Sequence, residues 1–116
     1  MLEEFLGREK VAPLMAKGWV DLMIDTDRDT NGEEIMKRYK GDRSGGLPWL
    51  VILDSKGEER ISSNAPPKGG NIGSPVSEAE CAHFLVMLEQ TRGAVTDEEL
   101  ATLKRELEEH AKKYRR

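Results

Sequence analysis

The chain has 116 residues, of which 34% are charged and 5% aromatic, and its formal net charge is −4. This length suits one domain, and the net negative charge favours neither nucleic acid nor an anionic lipid surface as partner. No apolar run approaches the roughly 20 residues of a membrane span, and Glu3 and Glu4 do not fit a signal peptide. We therefore expect a soluble domain without a targeting signal, in a compartment that the sequence does not identify.

The N-terminal part predicts helix followed by strand. Residues 2–17 carry apolar side chains at helical spacing, with Gly7 and Pro13 as interruptions and Gly18 as a stop. Pro13 is expected to open a second turn of helix. Residues 19–25 are mostly apolar and predict a strand.

A capping box is predicted at Thr30-Asn31-Gly32-Glu33, opening a helix over 31–40. The overlapping stretch from Asp27 to Gly32 has the opening of a calcium loop, but Arg38 stands where the closing bidentate Glu belongs. A strand that runs directly into a capped helix is the favoured interpretation of this segment.

The middle of the chain predicts a hairpin. Residues 48–53 are nearly all apolar, which indicates a strand buried on both faces. Residues 55–57 predict a tight turn, and residues 58–63 should return antiparallel. Residues 64–75 contain three prolines and three glycines and are expected to form a loop.

Two further capping boxes predict the C-terminal helices. Ser77 to Glu80 opens a helix, and Thr96 to Glu99 opens another that runs to about Tyr114. The last helix has one apolar stripe, formed by Leu100, Leu103, Leu107, Ala111 and Tyr114. We expect a domain over 1–92 and an amphipathic helix over 93–116 that packs on this domain or on a partner chain.

Residue chemistry predicts no catalytic group, metal site or cofactor. Cys81 is the single cysteine, so neither an intrachain disulfide nor a cysteine zinc cluster can form. It lies on an apolar helical face and is expected in the core, because its acidic neighbours Glu78 and Glu80 disfavour a thiolate. His83 and His110 lack partners at metal-ligand spacing.

The order strand, helix, Gly46-Leu47-Pro48-Trp49, hairpin and helix resembles the C-terminal portion of the thioredoxin fold. More closely, residues 20–28, 31–34, 46–49 and 71–75 are similar to a thioredoxin-like group of thiol-disulfide oxidoreductases. The resemblance covers roughly residues 1–90. It implies an α/β fold with three α/β/α layers, incomplete at its N-terminus and extended by a C-terminal helix.

In that group the redox Cys-x-x-Cys pair would lie a few residues before Met1, so the resemblance implies a truncated and redox-inactive chain. It also implies that a central strand is missing between segments 19–25 and 48–53, which would leave apolar edges. The two segments could pair directly, or a second copy could supply the missing neighbour. We favour the second outcome, a homodimer by strand exchange.

The resemblance further implies that Gly46, Leu47 and Pro48 bind substrate. Pro48 would follow a cis peptide bond, and the backbone of Leu47 would pair with an extended protein or peptide substrate. Alternatively, Pro48 simply begins a strand, where its missing amide does no harm. The expected function is that of a redox-inactive thioredoxin-like domain. The alternative is a non-catalytic protein-interaction module that uses the proline groove or the C-terminal helix.

Overall fold

The computed structural model describes residues 2–20, 30–43, 48–65 and 70–115. These residues form a mixed helix and strand structure with five helices and two small antiparallel sheets. The elements are α1 (Leu2–Leu6), α2 (Ala12–Gly18), α3 (Gly32–Tyr39), β1 (Val51–Leu53), β2 (Glu59–Ser62), β3 (Asn64–Ala65), β4 (Gly70–Asn71), α4 (Glu78–Thr91) and α5 (Asp97–Lys112). The combination of helices and strands is as expected, whereas the three-layer arrangement stays a prediction.

The N-terminal segment forms two short helices. α1 ends before Gly7, and Pro13 stands in the first turn of α2, where a missing amide costs no intrahelical hydrogen bond. The prediction that Pro13 opens a second helical segment is confirmed. Trp19 and Val20 follow α2 without strand pairing, and the rest of the predicted strand 19–25 lies outside the described residues.

α3 is present, but its predicted capping box is wrong. Asn31 holds the N-cap position with a positive φ of 63°, and its side chain makes no capping hydrogen bond. Thr30 is therefore one residue too early to serve as the cap. Asn is among the few residues that tolerate the left-handed conformation, which explains how the chain turns into the helix without a side-chain cap.

The hairpin β1–β2 is antiparallel, and both its turn and its returning strand are confirmed. The Asp54 carboxylate accepts the amides of Lys56 (2.8 Å) and Glu58 (2.9 Å), while Gly57 supplies the positive φ of the turn. These two amide bonds, that of Glu58 first, lower the pKa of Asp54.

β1 differs from the prediction in length and burial. It has three residues rather than six, and all three are half-buried. The expectation of a strand buried on both faces is therefore wrong for β1. A run of apolar residues reports hydrophobicity but cannot show which faces are covered.

The predicted loop over 64–75 contains the two-residue strands β3 and β4, which pair antiparallel. The Ile72 amide also donates to the Ser63 carbonyl at 3.0 Å, which ties the end of β4 to the end of β2. Strands this short leave no alternating pattern in a segment rich in Gly and Pro.

Both C-terminal capping boxes are confirmed. The Ser77 hydroxyl accepts the Glu80 amide at 3.1 Å, and the Glu80 carboxylate accepts the Ser77 amide at 3.0 Å. Thr96 and Glu99 form the same reciprocal pair at the start of α5. Each box satisfies amides that the helix itself leaves unbonded.

The core lies mainly between α1, α4 and α5, and α5 packs directly on α4 and α1 of its own chain. The hairpin adds only partly buried side chains to this core. The buried residues of the core are Leu2, Phe5, Val11, Ile72, Cys81, Phe84, Met87, Leu88, Val95, Leu103, Leu107 and Ala111. None of the described helices is long and apolar enough to cross a membrane.

Candidate functional site

The candidate site is the start of β1, where sequence resemblance places a peptide-binding segment. Pro48 is described and exposed, two residues before the hydrogen-bonded ladder begins at Leu50. Gly46, Leu47 and the peptide bond that precedes Pro48 lie outside the described residues. The structure therefore shows the path of the chain from Pro48 onward, and the cis geometry stays a prediction.

The backbone from Pro48 to Leu50 is held by two side chains that follow later in the chain. The Asn71 amide group donates to the Pro48 carbonyl at 3.0 Å. Ser63 is fully buried, and its hydroxyl donates to Asn71 Oδ1 at 2.6 Å while accepting the Leu50 amide at 2.9 Å. This chain of bonds connects β1 to β4 and fixes the direction in which the strand starts.

The Trp49 side chain is held by a hydrogen bond at its indole nitrogen and by a cation over its ring. Its indole Nε1 donates to Asn64 Oδ1 at 2.7 Å, and the Arg43 guanidinium lies 4.9 Å from the ring centroid. Arg43 also pairs with Glu59 at 2.7 Å. That hydrogen bond raises the pKa of Arg43 and lowers the pKa of Glu59. The indole is thus held between β3 and a cation that is itself anchored to β2.

The pairing with β2 determines which backbone groups of β1 point outward. The Ser63 amide donates to the Leu50 carbonyl at 2.8 Å, so Leu50 belongs to a hydrogen-bonded pair. Such pairs alternate along an antiparallel ladder, and Val51, opposite Ser62, is therefore a non-hydrogen-bonded pair. The amide and carbonyl of Val51 consequently point to the outer edge of β1. Among the described strands, only β2 pairs with β1.

Gly73 lies beside the same segment. A Cβ added at Gly73 would be 3.9 Å from Pro48 Cδ, and the residue has a positive φ of 59°. The turn after β4 therefore approaches the start of β1.

Cys81 lies in the core and not in the candidate site. Its side chain is buried, with Sγ 3.9 Å from the Val76 carbonyl and 3.7 Å from Arg115 Nη2. Burial, followed by the charge of Glu108, raises the pKa of this thiol, although Arg115 opposes the shift. The prediction of a core cysteine is confirmed. The main cause is desolvation rather than the neighbouring Glu78 and Glu80 named from sequence.

The two histidines have separate structural surroundings. His83 Nε2 lies 2.9 Å from the Ser62 carbonyl and joins α4 to β2. His110 is buried between the rings of Phe5 and Tyr114, and neither ring nitrogen has a hydrogen-bond partner. Within residues 2–20, 30–43, 48–65 and 70–115, no group of three or more His, Cys, Asp or Glu side chains could hold a metal ion.

Sequence reasoning missed the side chains that hold the start of β1. From sequence, Asn71 is only part of the resembling stretch 71–75, and Ser63 is only the end of the predicted strand 58–63. Their spacing carries no local signal, because Ser63 and Asn71 meet across a sheet that the sequence did not predict. The predicted returning strand 58–63 is itself mostly polar, so a serine at its end gave no sign that it would be buried.

Comparisons of this chain with protein-family models, with curated proteins and with solved structures gave no significant match. The function of the site is therefore inferred from its geometry and from the sequence resemblance.

Proposed function

We propose that this chain is a redox-inactive, thioredoxin-like domain that acts as a protein-interaction module. The interaction is the pairing of an extended peptide with the outer edge of β1. The observation that carries this proposal is the outward backbone of Val51, which directly follows a segment held in place by Ser63 and Asn71.

The order of elements supports the thioredoxin-like part of the proposal. Pro48 precedes β1, β1 forms an antiparallel hairpin with β2, and α4 follows and packs on β2. This order agrees with the C-terminal half of the fold that the motifs resemble. The relation to thiol-disulfide oxidoreductases depends on those motifs.

The state of Cys81 supports the absence of redox activity. Thiol-disulfide exchange requires a thiolate that can reach a substrate disulfide. Cys81 is buried, and its pKa is raised by desolvation, so the thiol stays protonated and inaccessible at neutral pH. The rest of this chain contains no second cysteine to resolve a mixed disulfide.

The mode of binding follows from the strand edge. An extended peptide can add a strand to an exposed edge, with main-chain hydrogen bonds providing affinity and nearby side chains providing selectivity. Trp49 and Val51 offer an aromatic and a β-branched side chain beside this edge, and both are half-buried. The sequence analysis favours a second copy of the chain as a source of the added strand.

The binding part is tested by amide NMR spectra with insulin B chain, its cysteines alkylated, as the extended peptide probe. We expect shifts concentrated at residues 49–53. Val51→Pro removes the outward amide and should weaken binding at least tenfold, since it deletes a central main-chain bond. Val51→Thr keeps both the amide and the β-branched shape and should bind as the parent chain does.

The proposal is wrong if the probe shifts no amide of β1, or if Val51→Pro binds as well as Val51→Thr. Circular dichroism of both variants shows whether Val51→Pro still folds. If it does not, N-methylation of the Val51 amide in a semisynthetic chain removes the same donor without the proline ring.

Redox inertness is tested separately by reduction of insulin with dithiothreitol as the electron source. We expect the rate with this chain to equal the background rate. Turnover above background that disappears in Cys81→Ala would contradict the inert assignment and would leave the peptide-binding experiment unaffected.

A further inference from the structure

A groove runs between α4 and α5. Its volume is about 530 Å³, and charged side chains surround an apolar floor. Val86 is 40% exposed in this groove, in the middle of α4. The floor consists of Ala82, Leu85, Val86, Leu100 and Ala101.

The groove extends along most of the length of both helices. On α4 the lining residues run from Glu78 to Glu89, and on α5 they run from Asp97 to Glu108. Each stripe therefore spans 11 residue steps. At about 1.5 Å per residue this corresponds to roughly 16 Å on each helix. The two stripes form one apolar face of matched length.

α4 has apolar residues on two sides, and only one of these sides is buried in the core. Its opposite side contributes Cys81, Phe84, Met87 and Leu88 to the core. Ala82 and Val86 repeat the apolar character on the outer side, and both are exposed. A helix that is apolar on both sides normally has both sides covered. This face therefore has the composition of a contact surface.

The charges around the groove are distributed by helix. Glu78 and Glu89 stand on the α4 side, Lys104 stands on the α5 side, and none of the three has an ion-pair partner among the described residues. The other charges are already paired, Arg92 with Asp97 and Glu108 with Arg115. The unpaired charges are thus negative on one wall and positive on the other.

We propose that this face binds a second copy of the same chain in a two-fold dimer, with α4 of each copy over α5 of the other. A two-fold axis brings identical surfaces together and so requires a surface complementary to itself. In this arrangement Lys104 of one copy lies over the acidic α4 wall of the other, between Glu78 and Glu89. The two apolar floors cover each other, and the four helices form a bundle.

This dimer is independent of the β1 edge, because the groove and the start of β1 share no residue. It also differs from strand exchange, which needs the edge of β1. The two modes of association are therefore separable by variants placed on one surface or the other.

The test is sedimentation equilibrium of the full chain from micromolar to millimolar concentration. We expect a mass that rises from the monomer value of 13.0 kDa toward twice that value. Val86→Gln should weaken dimerisation at least tenfold, whereas Ala79→Gln, exposed on α4 outside the groove, should leave it unchanged. Val51→Pro should also leave it unchanged.

The charge arrangement has its own matched control. Lys104→Glu should weaken the dimer at least fivefold, and Arg105→Glu, the same charge change on the neighbouring residue outside the groove, should have no comparable effect. Adding Glu89→Lys to Lys104→Glu should restore most of the affinity, since it exchanges the two signs across the two-fold axis.

A monomeric mass at every concentration overturns the proposal, as does a dimer that is insensitive to both Val86→Gln and Lys104→Glu. A dimer abolished by Val51→Pro but not by Val86→Gln assigns association to the β1 edge and also overturns it. Circular dichroism melting of Val86→Gln distinguishes lost association from lost folding, because Val86 points away from the core.

Discussion

The helical and the strand regions of this molecule are held together by different forces. The region of α1, α4 and α5 contains most of the fully buried apolar side chains, including Phe5, Leu103 and Leu107. The region of the four strands has only half-buried residues in β1 and depends on specific polar bonds through Ser63, Asn71 and Arg43. Stability is therefore concentrated in the helices.

This difference explains why the candidate peptide site is in the strand region. Apolar burial is non-directional, whereas a hydrogen bond fixes the position of a specific backbone group. The bonds to Pro48 and Leu50 determine how β1 presents its edge. A less buried region can also adapt to a ligand without disrupting the main core.

The largest effect expected from this comparison is at Leu103. Leu103→Ala removes a fully buried side chain and should reduce the free energy of unfolding by about 2 to 5 kcal/mol. Leu53→Ala, the same change in half-buried β1, should cost less than half as much. Urea denaturation of both variants measures the difference, and equal costs would contradict the division into two regions.

The next effect concerns the polar bonds of the strand region. Ser63→Ala leaves the Leu50 amide and Asn71 Oδ1 without this hydroxyl, at a site that is fully buried. We expect a loss of about 1 to 3 kcal/mol in the free energy of unfolding. Ser55→Ala, in the exposed hairpin turn, should stay within about 0.5 kcal/mol of the parent chain. A neutral Ser63→Ala would show that these bonds are not needed.

The helical region should also respond to pH through His110. Burial lowers the pKa of His110 below its ordinary 6.5; Glu4 opposes this shift, and Arg8 and Lys113 add to it. The unfolded chain therefore binds the proton more readily, so stability falls as the pH drops through about 6.5 and below. The slope from this one group is at most about 1.4 kcal/mol per pH unit.

His110→Leu provides the matched variant for this pH effect. It replaces the titrating ring with an apolar side chain that still lies between Phe5 and Tyr114. The difference in unfolding free energy between parent and variant should be constant above neutral pH. As the pH falls from about 6.5, the parent should lose stability relative to the variant. Parallel pH profiles would show that His110 is protonated equally in folded and unfolded chains.

The smallest expected effect on stability comes from the N-terminal caps of α5 and α3. Thr96→Ala removes the hydroxyl that accepts the Glu99 amide at 3.2 Å and should cost about 1 kcal/mol. Thr30→Ala should have almost no effect, because α3 starts at Asn31 without a side-chain cap. Thermal unfolding of both variants tests this contrast, and equal shifts in the melting temperature would contradict it.

Prediction from sequence was most successful where the signal is local. The capping boxes at Ser77 and Thr96 and the turn at Gly57 depend on residues within a few positions of each other. Thr30 shows the limit of the same pattern, since the motif is present but Asn31 takes the cap position. The candidate peptide site was predicted only at Gly46, Leu47 and Pro48, because Ser63 and Asn71, which hold the start of β1, come from later parts of the chain.

The amino-acid sequence by itself determined which segments become α4 and α5, where the hairpin turns and that Cys81 prefers the interior. Local hydrogen bonds and side-chain periodicity suffice for these features. Folding in three dimensions brought Ser63 and Asn71 to the start of β1, left Val86 exposed between two helices and enclosed His110 without a partner. These features arise from contacts between distant segments, whose packing free energy no short stretch of sequence contains.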